Sequence, residues 1–166
     1  MTSSERDGED PRGRAVYEHL VEVHALYRRE LAKLRGEMAK WSADPGGPDR
    51  LADAARAFSD QRKSDLRLNC LQFCDALTAH HSVEDTQMFP QLRDYSAAAA
   101  PVVDRLRMEH EKIADLLAQL ENTLRRLSGD PSLVADAARA LTALATDLEA
   151  HLDNEENSLA GLFGLR

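Results

Sequence analysis

Residues 80–90 read His80-His81-Ser82-Val83-Glu84-Asp85-Thr86-Gln87-Met88-Phe89-Pro90. His80 and Glu84 stand four apart in a segment of helical composition. On an α-helix they share one face, with Cβ atoms roughly 6 Å apart. An imidazole and a carboxylate at that spacing can grip one metal ion, or the imidazole can bind terminally while the carboxylate bridges two. The same device returns near the C-terminus as His151-Leu152-Asp153-Asn154-Glu155-Glu156. In both copies a second acid follows the acid at His+4.

The rest of the chain supplies a helical frame for these two segments. Its 166 residues suit one domain with one core. Aromatics make up 5% and there are 8 glycines, while Ala, Leu, Arg, Glu and Asp dominate, a balance that favours helix over sheet. Met1 to about Gly13 is polar and reads as a disordered leader, with the folded domain over 14–166. From Arg14 to about Trp41 the apolar positions Val16, Leu20, Val23, Tyr27, Leu31, Leu34, Met38 and Trp41 recur with a period near 3.6. His24 lies within that stripe, and Ser42 to Pro48 breaks it.

An antiparallel partner must bring His80 level with His24. His24 precedes Trp41 by about 25 Å of helix at 1.5 Å per residue, and the same distance back from His80 reaches Lys63. The spacing therefore predicts a short extra helix over Asp49–Phe58, a break near Ser59–Ser64, and a long second helix to about Arg93. Leu66, Cys70, Phe73, Leu77, His80 and Glu84 share a face of that long helix, and Pro90 is expected to disturb its last turns. Asp94 to Ala100 is a connection. A third helix from Pro101 to about Leu127 carries Val103, Leu106, His110, Ile113, Leu117, Leu120, Leu124 and Leu127 on its stripe. Ser128-Gly129-Asp130-Pro131 ends it. A fourth helix from about Ser132 to Leu159 places Leu141, Leu144, Leu148, His151 and Glu155 in register. The expected fold is all-α, an antiparallel up-down-up-down four-helix bundle.

The bundle contains an internal repeat. A helix with one inward His precedes a helix with inward HxxxE, first as His24 then His80/Glu84, again as His110 then His151/Glu155. Burying six such groups unpaired would cost several kcal/mol each. Bound cations offset that cost, because they favour neutral imidazole and ionised carboxylate together. Four His and two Glu exceed a tetrahedral zinc site. They suit two ions, one held by His24 and His80, the other by His110 and His151, with Glu84 and Glu155 between them. Mixed nitrogen and oxygen donors with open positions point to iron, with manganese or zinc as substitutes. Leu20, Phe73, Leu77, Leu106, Ile113, Leu144 and Leu148 would wall the site. The register His81 with Asp85 also has spacing four, but only His80/Glu84 aligns with His151/Glu155.

The order His, HxxxE, His, HxxxE over four helices, with the phrase HHxxEDxxxFP at residues 80–90, resembles the HHE cation-binding form of the hemerythrin family, bacterial members in particular. The resemblance spans His24 to Glu155. It implies a non-haem di-iron centre that takes small oxygen-derived ligands, and it carries ligand roles to His24, His80, Glu84, His110, His151 and Glu155. Ferritin-like relatives need ExxH on two helices, and no ExxH occurs here. Oxygen-storage hemerythrins place two His four apart on the third helix, whereas His110+4 is Ala114. The missing imidazole leaves one iron more open, which weakens reversible oxygen storage and favours reaction with peroxide, nitric oxide or oxygen. His81 lies about 100° round the helix from His80. It either reaches the same ion or partners Asp85, and its counterpart in the second copy is Leu152.

Other residues read more plainly. Tyr27, one turn from His24, is a packing residue or a hydrogen-bond donor to a bound oxygen species. Asp85 and Glu156 are solvated or orient ligand imidazoles. Cys70 and Cys74 suit a reducing compartment, as small buried residues or a redox pair. The net charge of −8 offers no basic stripe for nucleic acid, and no apolar run approaches a membrane span. A cytoplasmic location follows as an expectation. The functional expectations are a protein that binds, senses or reacts with oxygen species, an enzyme turning over peroxide or oxidising a small substrate, or a helical module that a metal only staples.

Overall fold

A computed structural model describes residues 10–43 and 52–165, and the side chains of 52–59 are not among what it describes. The described residues form helices α1 (Pro11–Ser42), α2 (Ala52–Val83), α3 (Phe89–Tyr95), α4 (Ala99–Leu127) and α5 (Val134–Leu162), with no strand among them. A π-helical turn, Glu84–Met88, joins α2 to α3, so the second arm of the bundle runs on to Tyr95. A 3-10 turn, Pro131–Leu133, leads into α5. Each arm packs on two neighbours: α1 on α2 and α5, and α4 on α2 and α5. The expected four-helix bundle is the fold observed.

Helix α1 begins three residues before the expected start. The Asp10 side chain accepts from the Arg12 amide at 3.0 Å, and Pro11 supplies a first helical residue with its φ already set. Pro11 to Gly13 thus belong to α1, and residues 1–9 of the expected leader lie outside the described residues. Gly13 is required for packing rather than for a turn. A Cβ there would meet the Phe163 ring at 2.5 Å, so the first turn of α1 packs this closely on the ring that follows α5 because position 13 is glycine.

The expected break in the second arm does not occur. Lys63 Nζ does lie 6.0 Å from the Trp41 ring, which confirms the level predicted for the two helices. The chain meets that level without breaking: α2 runs unbroken from Ala52 and continues past the end of α1. Residues 52–64 contain no Gly or Pro, four of them are Ala, and the Ser residues at 59 and 64 disfavour helix by only about 0.5 kcal/mol each. The expected start of the extra helix at Asp49, like most of the break at 42–48, lies outside the described residues.

The stripes of α4 and α5 are buried as their periods predict, Val103 to Leu127 on the former and Leu141 to Leu159 on the latter. On α1 the buried face is Leu20, His24, Leu31, Leu34 and Met38, whereas Val16, expected on it, is exposed. The core falls into two clusters. One, around Leu31, Leu77, Leu117 and Leu144, fills the half toward the α4–α5 turn. The other, around Leu20, Phe89, Leu106 and Leu159, fills the opposite end. Between them lies a layer of buried His and Glu.

Candidate metal centre

Seven side chains converge in that layer. The six expected ones are all there, and the buried members include His24, Glu84, His110, His151 and Glu155. Their donor atoms fall into overlapping groups, each within 4.8 Å: His24, His80 and Glu84; His81, His110 and His151; and Glu84, His110 and Glu155. Glu84 and Glu155 therefore stand between two sets of imidazoles. His81, left open by the sequence, joins neither His80's group nor Asp85. Its ring stacks on His110 at 4.0 Å and 12°, and its donor atom groups with those of His110 and His151.

The π turn helps to build this layer. Phe89 donates its backbone N–H to Glu84 O, five residues back. In an unbroken α-helix Phe89 would lie about 140° from Glu84. The extra residue brings it onto the same face, where it is fully buried and stacks on His110 at 5.3 Å. Pro90, which has no N–H to give and whose ring crowds the preceding turn, accounts for a disruption at this point.

Three imidazoles are held from behind by acids. His24 Nδ1 lies 2.9 Å from Glu156 Oε1, His110 Nδ1 3.0 Å from Asp85 Oδ1, and His151 Nδ1 2.8 Å from Glu109 Oε2. Carboxylates only accept, so each Nδ1 carries the proton and each Nε2 turns its lone pair inward. Cations and amides fix the acids in turn. Arg28 bridges Glu156 at 2.6 Å and Asp153 at 2.7 Å, Arg107 lies 3.7 Å from Asp85, and Asn154 donates to Glu109 at 3.3 Å. Each acid neighbours in sequence a converging residue of its own helix, and orients an imidazole of another helix. The sequence pointed to Asp85 and Glu156 in this capacity but not to Glu109. Its one signal was adjacency to His110.

The interior donors lack partners. His24 Nε2, His80 Nε2, His81 Nε2 and all four oxygens of Glu84 and Glu155 are buried without a hydrogen bond. His80 Nε2 and Glu84 Oε1 are 2.9 Å apart without hydrogen-bond geometry. His110 Nε2 faces His151 Nε2 at 3.1 Å, and with both Nδ1 protons committed outward no proton lies between them. Cations satisfy such a set: two lone-pair nitrogens in contact, orphaned carboxylates and tautomers fixed from outside. The residues present fit a metal centre.

Titration follows from burial. Desolvation lowers His80 to about 4 and His110 to about 3, and drives His81 well below the usual imidazole range. Desolvation raises Glu84 to about 8 and pushes Glu155 upward too. His24 is raised: burial lowers it, but the neighbouring Glu155 and Glu156 more than offset that. Burial first, then the charge of Glu84, raises Tyr27. Cys70 and Cys74, free and fully buried, are raised to about 12 by burial, so both are packing thiols at neutral pH.

These shifts predict the metal-free protein's pH profile. Below the reference value of 6.5 the unfolded chain takes protons that His80, His81 and His110 refuse in the fold, so stability falls toward about 4 and below. Above 4.5 the unfolded chain releases a proton that Glu84 keeps in the fold, so stability falls as pH rises to about 8. Glu155 acts in the same direction. His24, raised, stabilises at low pH and partly offsets the other histidines. Denaturant unfolding of chelator-treated protein should show a plateau between about pH 4.5 and 6.5 that declines on both sides. A curve rising steadily to pH 8 would contradict the assignment.

The comparisons with known proteins agree with this geometry. The model of the hemerythrin HHE cation-binding domain matches residues 15–163, nearly the whole chain. The chain belongs to the hemerythrin HHE family. Searches of curated proteins and of solved structures returned no match. Membership carries cation binding as the family's common property, and the three donor groups are where this chain can hold metal. No helix among the described residues is long and apolar enough to cross a membrane.

Proposed function

We propose that this protein is a non-haem di-iron protein that binds, senses or reacts with small oxygen species (dioxygen, peroxide or nitric oxide) inside the bundle. One observation carries the reading: buried, unpartnered imidazole nitrogens and carboxylate oxygens converge in one layer, with three imidazoles fixed by acids outside it. His24, His80 and Glu84 would hold one ion, and His81, His110 and His151 the other, with Glu84 and Glu155 shared. Iron, when bound, supplies redox change and open positions for exogenous ligands. The chain's own residues orient the donors, exclude water with Phe89, Leu106 and Leu148, and keep Nε2 free of protons. The His24/His80 side has one imidazole fewer, which favours small ligands on that side.

The absent His at position 114 was the argument for an enzyme with an over-open iron. On this reading His81 would supply that imidazole, which takes away the specific support for the enzymatic alternative. Manganese or zinc would fit the same donors. We place the protein in the cytoplasm, acting on small oxygen-derived partners rather than on nucleic acid or a membrane. The test is metal analysis with visible spectroscopy. Purified protein should carry close to two irons per chain, and anaerobic reduction followed by dioxygen or nitric oxide should change the visible absorption. Fully loaded iron that shows no spectral response would leave only a metal-stapled bundle.

A further inference from the structure

The most open donor of the layer stands on α2 beside Tyr27 of α1. His80, 14% exposed, is the least covered of the converging side chains. A groove of about 390 Å³ runs along this wall, with Val23, Leu26 and Tyr27 on one side and Gln72, Phe73 and Ala76 on the other. Tyr27 belongs both to the groove and to the site. Its ring centre is 5.9 Å from that of Phe73 and 5.1 Å from that of His80. Its hydroxyl donates to the Ala76 carbonyl at 3.0 Å, one helical turn before His80.

The other approaches are sealed differently. Behind His24 stand Glu156 and Arg28, behind His110 stand Asp85 and Arg107, and behind His151 stand Glu109 and Asn154. A ligand entering there must open a charge-assisted network, and charged hydrogen bonds are about twice as strong as neutral ones. At Tyr27 it need only break a single neutral hydrogen bond and turn one ring.

We infer that Tyr27 is the latch on the entry route to the site, through which metal and small neutral or singly charged ligands pass from the α1–α2 groove to the His80 side. This rests on the metal-centre reading above. Rotation of the side chain breaks the bond to Ala76 and uncovers His80, and reclosure restores both. A latch changes the rate of passage in both directions and leaves the equilibrium alone.

The experiment follows cobalt(II) uptake by the full, chelator-treated chain, read as visible absorbance in a stopped flow, and then azide binding to the cobalt-loaded protein. Tyr27→Phe keeps the ring and removes the bond, and uptake should quicken about fivefold, the factor for one hydrogen bond of ordinary net strength. Tyr27→Ala should be faster still. Azide association and dissociation should quicken together, with Kd unchanged. Leu124→Ala, which opens a core cavity on α4, outside the groove's lining, should loosen the bundle without speeding entry. Wild-type rates in both Tyr27 variants overturn the latch while leaving the metal reading intact. So does equal acceleration in Leu124→Ala, which would mean entry by general breathing. An azide Kd that shifts at constant association rate makes Tyr27 a ligand contact and overturns it as well. If the wild-type chain takes up no cobalt, the metal reading falls and the latch with it.

Discussion

Glu84→Gln is expected to strip the bundle of metal and, in the same molecule, to make the metal-free form more resistant to alkaline pH. The carboxylate belongs to two of the three donor groups, so in the proposed two-ion centre its loss would remove a donor and a charge from both ions. Loss of an outer partner that merely orients a ligand lowers metal affinity about 10–100-fold. Loss of a shared anionic donor should exceed that, and metal per chain after dialysis against a chelator should fall from two toward zero. Metal-free, the sign reverses. Glu84 is 3% exposed, and desolvation holds its carboxyl at about 8 against a reference of 4.5. The unfolded chain ionises it readily above 4.5 and the fold does not, so Glu84's own contribution falls from 4.5 up to about 8, and above 6.5 the histidines no longer offset it. At about 1.4 kcal/mol per unit the loss is on the order of a few kcal/mol by pH 8. The amide that replaces the carboxyl is neutral throughout. It carries a buried-polar penalty of about 1–3 kcal/mol, but that penalty does not vary with pH. Melting curves from pH 5 to 9 should therefore cross. The loaded wild type outlasts the variant, while the metal-free variant flattens the alkaline decline, with each kcal/mol worth about 2–4 °C in a chain of this size. Unchanged metal content, or parallel metal-free pH profiles, would remove Glu84 from the proposed place between two ions.

The same residue shows what a sequence can carry. His80 and Glu84, His151 and Glu155 are local pairs. Their spacing alone fixes a common face, and the 3.6 period of α4 fixes which way His110 points. The structure gathers all of them, with His24, into one layer. The fold followed from the same periods, and even the level of Lys63 against Trp41 followed from counting residues. What could not be read depends on contacts between helices. Glu109 orients His151 across 42 residues, and Asp85, legible as an orienting acid, finds its partner in His110 across 25. No local rule pairs an acid beside one ligand with the ring of another. The π turn depends on a single extra residue before Pro90, and a pattern of apolar positions does not register one residue. The break expected in the second arm was a demand of length alone. It failed because α2 can run beyond its neighbour, and alanine-rich sequence lets it do so.

His81 is where local and non-local information diverge most, and it yields the second large expectation. Repeat symmetry maps it onto Leu152, which argues against a donor at this position. Position 81 nevertheless faces α4 rather than α1, and its ring lies against those of His110 and His151. The two halves of a duplicated fold thus differ at one residue, and His81→Leu would make them alike. Leucine is already accommodated fully buried at the matching position 152, so the substitution should fold. It removes an imidazole that burial keeps neutral far below the usual range. The metal-free variant should therefore hold its stability better than wild type as pH falls below 6.5, because one group that charges only on unfolding is gone. The loaded protein should behave in the opposite way. The group of His24, His80 and Glu84 is untouched, whereas the other set falls from three imidazoles to two. Titration with iron(II) or cobalt(II) should then resolve one site of native affinity and one weakened by more than about 100-fold, beyond the loss that an orienting partner alone would cause. Metal analysis at limiting supply should give one ion per chain instead of two. Two equally tight sites in the variant would return His81 to a packing role. They would leave the α4 side to two imidazoles and shared carboxylates, and the argument for a more open, reactive centre would stand again.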